Sequence, residues 1–171
     1  MNIRGATIAD ALFIFELAET TLTQYVGSGG KHCLAALQRC NTTLICEDDA
    51  NSKERLGFIL IEWIGREPLM YAIATQPAAQ RRGAGRLLLE SCFSWVSERS
   101  KRTTTPLTAY IAESNRGALA WARAVGFNIS FGARHLQYKA TGIWAIPMTK
   151  IIAVQNVADG FSPASDFISK R

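Results

Sequence analysis

"QPAAQRRGAGRLLLESCFSWV", residues 76–96, is the stretch on which the reading of this chain turns. It follows an apolar run that closes on Ile73, Ala74 and Thr75. Gln80, Arg81 and Arg82 lead into Gly83-Ala84-Gly85, and an amphipathic segment begins at once. Leu88, Cys92, Trp95 and Val96 share one stripe at helical spacing, which predicts a helix from Ala84 to about Ser100. A helix start carries unsatisfied N–H groups and a partial positive charge. Placed after a strand, it is a ready anion site. Glycines let the backbone approach an anion with no Cβ in the way, and arginines add charge-assisted hydrogen bonds. The residue types from Gln80 to Gly85, between the Ile73 strand and the Leu87 helix, therefore predict a phosphate cradle.

Two common phosphate motifs do not fit. A dinucleotide fold needs a third glycine where Leu88 stands, and an acid about 20 residues on, which "SKRTTTP" lacks. A P-loop needs a Gly-Lys-Ser/Thr ending, which is absent. A glycine-rich turn with solvated arginines is the alternative reading of the same residues.

Working outward, 171 residues suit one domain with a sizeable core. The net charge of +5 suits an anionic partner: nucleic acid, an anionic membrane face or a phosphorylated cofactor. Arg99, Lys101 and Arg102 read as a cationic helix end. No apolar run approaches the ~20 residues of a membrane span, and "MNIRGATIADA" lacks the layout of a signal peptide. A cytoplasmic protein is the expectation. The four cysteines form no CxxC pair and only His32 and His135 accompany them, so no metal site and reduced thiols are expected.

The remaining elements follow from periodicity and breakers. A strand over Ile3 to Ala6 precedes a helix to about Thr20, capped by Thr7 with Asp10 as capping-box partner. "GSGGK" at 27–31 reads as a breaker, followed by a helix over His32 to Arg39. Thr42 to Cys46, Leu56 to Trp63 and Leu69 to Thr75 read as an antiparallel meander. A strand over Leu107 to Ala112 leads to a helix capped by Asn115 and running through Val125. Gly126 and Phe127 form its C-terminal cap. Asn128 to Phe131 and Ile143 to Ile151 close the sheet, with Pro147 placing the last strand at an edge or a bulge. The fold class expected is mixed α/β, a mostly antiparallel sheet of about seven strands with about four helices. Residues 1–151 form the domain and 152–171 a polar tail.

Three segments in order carry a family resemblance. "IATQPAAQRRGAGRLLLE" resembles the coenzyme A motif of the GCN5-related N-acetyltransferase family, Gln/Arg-x-x-Gly-x-Gly/Ala, with its strand and Pro77 at the usual spacing. "NRGALAWARAVGF", residues 115–127, resembles the family's second conserved block, and "IRGATIADA" its opening strand and helix. The resemblance spans roughly residues 2 to 151 and implies transfer of an acetyl group from acetyl-CoA to an amine.

By position, the resemblance implies that the loop from Gln80 through Arg81, Arg82, Gly83, Ala84, Gly85 and Arg86 to Leu87 holds the pyrophosphate. Ile73, Ala74 and Thr75 would bond the pantetheine through their main chain, and Asn115 would face the cofactor from the other side. It also exposes departures. The family's frequent general acid, a tyrosine seven residues after the asparagine, is Ala122 here. The glutamate used by the branch that acetylates ribosomal-protein N-termini is replaced by Tyr110, and the strand base position near Leu69 is apolar. Tyr110, Tyr138 and His135 are the candidates to move protons. Glu62, Glu67 and Glu113 read first as surface acids. Water can also serve, since a thiol of pKa ~8.5 leaves tolerably well unaided.

Three functions stay open on the residues: an N-acetyltransferase, a noncatalytic acyl-CoA-binding or sensing module, and a nucleic-acid binder. The last lacks any recognisable aromatic or zinc motif. The acceptor amine, small molecule or protein, is unread. In this family it is set by segments corresponding to Thr20 to Cys40 and Phe131 to Gly142, and homodimers are common.

Overall fold

The computed structural model describes residues 1–50, 54–131 and 135–154. In chain order the elements are β1 (Asn2–Gly5), α1 (Ala11–Val26), α2 (Gly29–Leu37), β2 (Thr42–Glu47), β3 (Arg55–Ile64) and β4 (Glu67–Thr75). They continue as α3 (Ala84–Arg99), β5 (Thr104–Ala112), α4 (Arg116–Ala124), β6 (Asn128–Ile129), β7 (Leu136–Gln137) and β8 (Trp144–Ala153). The strand order is β1-β2-β3-β4-β5-β8-β6, with β7 also on β8. Every pairing is antiparallel except β4 with β5. This is the mixed, mostly antiparallel architecture expected.

The sheet has a core on each face. Phe58 and Leu60 of β3 pack with Ile14, Leu17 and Ala36 beneath α1 and α2. Their neighbours Ile59 and Ile61 pack with Leu88, Cys92 and Val96 of α3 on the other face. A strand covered on both sides must be apolar at every position, which is why residues 56–61 show no alternation. Phe93 and Trp95 pack against the α3 core and Phe13 against the α1 core, as structural aromatics. Gly126 (φ 92°) ends α4, and the Phe127 amide returns to the Ala122 carbonyl at 2.9 Å while its ring is buried.

Several boundaries differ from the sequence reading for identifiable reasons. Gly29 and Gly30 do not break the chain; they open α2 and are buried against α1. A Cβ on Gly29 would stand 2.2 Å from the Ala18 carbonyl oxygen, and one on Gly30 2.6 Å from the Phe15 ring. The glycines are there so that two helix backbones can touch. Gly30→Ala is expected to destabilise the fold by ~2 kcal/mol, the cost of overpacking a close contact, read as a lowered urea midpoint. α1 runs on past Thr20 to Val26, and within it Thr20 and Thr21 satisfy their hydroxyls on helix carbonyls one turn back.

Thr104, Thr105 and Pro106 belong to β5, which extends along β8 as far as Ala153. Asn128–Ile129 alone, rather than the run to Phe131, forms β6. Pro147 lies neither at a sheet edge nor at a bulge. Strand β8 is flanked by β5 on one side and by β6 and β7 on the other, with an unbroken register to β5. The Pro147 carbonyl accepts from the Ser130 amide at 2.9 Å, so its missing donor faces the gap between β6 and β7, not β5. The tail expected over 152–171 loses residues 152 and 153 to β8; 155–171 lie outside the described residues.

Asp10 is more than a capping residue. It is fully buried and takes Arg4 at 2.7 and 2.9 Å, Arg55 at 2.7 Å and the Thr7 amide at 2.7 Å. Arg4 also bonds Glu47 of β2 at 2.7 Å. One carboxylate thus ties β1, the start of α1 and β3 together.

Candidate active site

Strand β4 ends at Thr75, a short 3-10 turn covers Pro77–Ala79, and Gln80 is extended. Arg81 has φ 61°, the one positive value at a non-glycine among the described residues, and Gly83 follows with φ 99°. This reversal delivers the chain into α3 with its first amides facing outward. The first of them to reach a backbone carbonyl is Leu87, 2.9 Å from Gly83 O. The amides of Gly83, Ala84, Gly85 and Arg86 have no backbone acceptor among the described residues. Among the described residues a Cβ on Gly83 would meet only the Met1 methyl carbon at 3.8 Å, so the space beside Gly83 is open. A Cβ on Gly85 would lie 3.5 Å from Thr75 Cγ2 and 3.9 Å from Trp121 Cζ2. The end of β4, the start of α3 and α4 therefore meet at Gly85. Open space, four unpaired amides and the helix dipole fit a diphosphate.

The arginines divide. Arg82 pairs with Asp48 at 3.3 Å and Arg86 with Glu90 at 2.8 Å, one helical turn on. Both pairs are solvent-exposed and weak. Arg81 is exposed and makes no hydrogen bond or ion pair among the described residues, so it is the one of these three guanidinium groups most available to an anion. A groove of about 460 Å³ adjoins this region through Arg86 and runs between α3 and the end of α4, over Phe93, Val125 and Lys150. Lys150 Nζ donates to the Val125 carbonyl at 2.6 Å and sits 4.8 Å from the Phe93 ring centre.

The sheet opens beside this loop. β4 and β5 pair only at Leu69 with Thr108 and Met70 with Ala109. Against β3 the register shifts between Leu60–Ala72 and Ile61–Met70, leaving Tyr71 as an extra, unmatched residue. Such a bulge bends and twists its strand. Past it, β4 follows β3 to Thr75 while β5 follows β8 to Ala112, and the two separate. The Gln76 amide donates to Leu56 O at 2.8 Å, so by alternation Ala72 and Ala74 bond β3. Ile73 and Thr75 then aim their N–H and C=O groups into the gap. Of the three strand residues expected to meet a cofactor, these two point their main chain into the gap and Ala74 points its own at β3.

Tyr110 is the first β5 residue after the last β4 pair, and its carbonyl accepts the Tyr138 hydroxyl at 3.4 Å. The two tyrosines named from sequence thus converge at the apex of the gap. Burial, and then the neighbouring Tyr71, push the Tyr138 hydroxyl above its ordinary pKa, so it stays protonated. Asn115 caps α4, its Oδ1 taking the Ala118 amide at 3.0 Å, which leaves its side-chain N–H groups for a ligand. Ala122 is buried in the α3 core and offers no chemistry. Glu67, Glu113 and His135 are exposed. Burial pushes the thiols of Cys33 and Cys92 up to about 12 and that of Cys40 to about 11, so none is poised as a nucleophile.

Two features escaped sequence reasoning. Tyr71 is one, because a bulge is a register property. The other is the wall opposite. The turn after Tyr138 packs on the end of α1, with Thr141 Oγ1 donating to Tyr25 O at 2.7 Å. The two segments expected to select the acceptor therefore touch.

The model of the acetyltransferase (GNAT) family matches residues 12–127. The chain belongs to that family and is an N-acetyltransferase in class. Its fold is similar to that of Ard1 from Thermoplasma volcanium, with a TM-score of 0.74 at 20% identity over 88% of this chain and 97% of that one. The ribosomal-protein-S18-alanine N-acetyltransferase from Escherichia coli gives 0.67 at 22% identity over 94% and 99%. The PaiA N-acetyltransferase from Thermoplasma acidophilum, in complex with coenzyme A, gives 0.66 at 15% identity over 87% and 97%. No curated protein matches the chain. No helix among the described residues is long and apolar enough to cross a membrane.

Proposed function

We propose that residues 1 to about 153 form a catalytic unit that uses acetyl-CoA to acetylate a primary amine by direct attack. The observation that carries this is the row of unpaired amides from Gly83 to Arg86 beside the opened β4–β5 gap. Acetyl-CoA supplies the activated acyl group as a thioester. Amides of Gly83, Ala84, Gly85 and Arg86 would hold its pyrophosphate, with Arg81 assisting. The N–H and C=O groups of Ile73 and Thr75 would receive the pantetheine as an added strand. A main-chain N–H there, pre-aimed and partly shielded from water, would stabilise charge developing on the thioester oxygen. Asn115 N–H groups would close the opposite side.

Proton traffic falls to the tyrosine pair. Tyr138 is neutral, half-buried and already donating, so it is suited to give its proton to the departing sulfur. The amine must arrive neutral or lose its proton to water, since neither Ala122 nor Leu69 can accept it.

Tyr138→Phe is expected to lower kcat by ~10- to 100-fold, at the low end for general acid catalysis because a thiolate is a tolerable leaving group. The sign of the pH effect follows from the raised pKa. The donor is active while protonated, and burial holds its hydroxyl above the ordinary range, so kcat should show no loss from this group through neutral pH and should lose it only in the alkaline range. Free-thiol release from acetyl-CoA with an amine panel checks both. Undiminished kcat in Tyr138→Phe would remove Tyr138 from the reaction. Tight acetyl-CoA binding with no thiol release above hydrolysis would favour a noncatalytic acyl-CoA module instead.

A further inference from the structure

Arg39, at the end of α2, stands over the Tyr71 ring with its guanidinium carbon 4.8 Å from the ring centre. Tyr71 is the bulged residue directly after the last β4–β5 pair. Across the gap, Tyr110 follows the last β5 pair and holds the Tyr138 hydroxyl. Arg39 is therefore one ring away from the point where the sheet opens. It is on the α1–α2 face, since Tyr71 packs against that core, and away from the α3 start that faces the cofactor phosphates.

Tyr71 is its principal partner, and its other contacts are few and long. Nε approaches the Glu62 carboxylate at 3.3 and 3.4 Å, and Nη1 the Ala35 carbonyl at 3.5 Å. A guanidinium has more donors than these use, and the Arg39 side chain is 46% exposed. Glu62, the acid beside it, is already engaged by Arg39 itself. A cationic acceptor would find the Tyr71 face filled by the protein's own cation and the adjacent Glu62 carboxylate already paired.

We infer that Arg39 is a specificity-determining residue whose guanidinium, steadied on Tyr71, receives a carboxylate carried by the acceptor close to its amine. The acceptor class is thus a carboxylate-bearing amine: a free amino acid, or a peptide with an acidic residue near its amino terminus. Arg39 suits this because its planar fork can take both carboxylate oxygens while its face stays on the ring. The inference rests on the acetyltransferase reading above.

The test compares initial rates of thiol release at saturating acetyl-CoA. The acceptors are a panel of free amino acids, their carboxamides, tripeptides beginning Ala-Asp or Ala-Asn, and spermidine. The wild type should favour a carboxylate-bearing acceptor over its amide partner by tenfold or more in kcat/KM, expressed in KM. Preference within the amino acids or within the tripeptides identifies the source. Arg39→Ala should erase that ratio, and Arg39→Lys should retain part of it. Thermal melts of both variants report folding. Equal use of acid and amide by the wild type, a preference for spermidine, or an Arg39→Ala variant that keeps the ratio overturns the inference. A calorimetric titration of acetyl-CoA into the wild type separates the two levels. Binding and turnover without carboxylate preference sink this inference alone; no binding sinks the reading beneath it.

Discussion

Replacing Gly83 by glutamate is expected to weaken acetyl-CoA binding by ~1000-fold or more. Two effects combine. At φ 99° a side chain costs about 1–2 kcal/mol, because Cβ crowds the following carbonyl. The loop would resist the conformation that presents the amides of Ala84, Gly85 and Arg86. The added carboxylate would also stand against the pyrophosphate, and like charges juxtaposed in an interface cost several kcal/mol. Little opposes the added Cβ sterically: among the described residues only Met1 Cε lies within 4 Å. The variant should therefore fold, and its loss should appear in binding rather than in Tm. Gly83→Ala separates the terms: it keeps the backbone strain and omits the charge, so its loss should be ~10-fold. Isothermal titration of acetyl-CoA into the three proteins reads the series.

Asp10→Ala is expected to destabilise the fold by about 3–5 kcal/mol, the range for removing one partner of a buried ion pair. The carboxylate is fully buried and joins Arg4, Arg55 and the Thr7 amide. Without it two guanidinium groups face each other across the junction of β1, α1 and β3. Each is about a third exposed and so partly hydrated, and Arg4 keeps Glu47; these factors favour the lower end.

The same site governs acid stability. Arg4 hydrogen bonding first, then the Thr7 amide and Arg55, hold the Asp10 carboxyl well below the usual carboxylate range. A depressed folded pKa contributes stability that is complete above the unfolded value near ~4 and fades as pH falls below it. Urea midpoints from pH 7 to 2 should fall steeply for the wild type below ~4. Asp10→Asn, starting lower, should have a flatter acid limb. Identical slopes would show that Asp10 does not set acid stability.

The parts legible in sequence were those whose cause is local. The β3 run is apolar at each position because both faces are covered, and the Gly126-Phe127 cap is written in two adjacent residues. The strand–loop–helix around Gln80 to Leu87 was readable because a helix start after a strand has known electrostatics. What escaped depends on partners distant in the chain. Gly29 and Gly30 look like breakers until Ala18 and Phe15 are seen against them. Leu136–Gln137 is a strand only because β8 lies beside it. Pro147 is tolerated inside the sheet because its bare nitrogen faces a gap between two short strands.

The candidate site divides in the same way. Tyr110 and Tyr138, far apart in sequence, are both candidates by residue type and converge in space. Tyr71 and Arg39 could not be named, because the bulge and the ring contact are products of register and helix placement. Asp10 was legible as a cap, but its two arginines come from other strands.

The amides that open α3 are the centre of the account, and backbone NMR with added coenzyme A tests them most directly. In a ¹⁵N-labelled sample, coenzyme A should shift the Gly83, Ala84, Gly85 and Arg86 amides saturably and slow their exchange with water. The α1 and α2 amides should move little. Binding that leaves those four amides in place, or no binding at millimolar coenzyme A, would contradict the account.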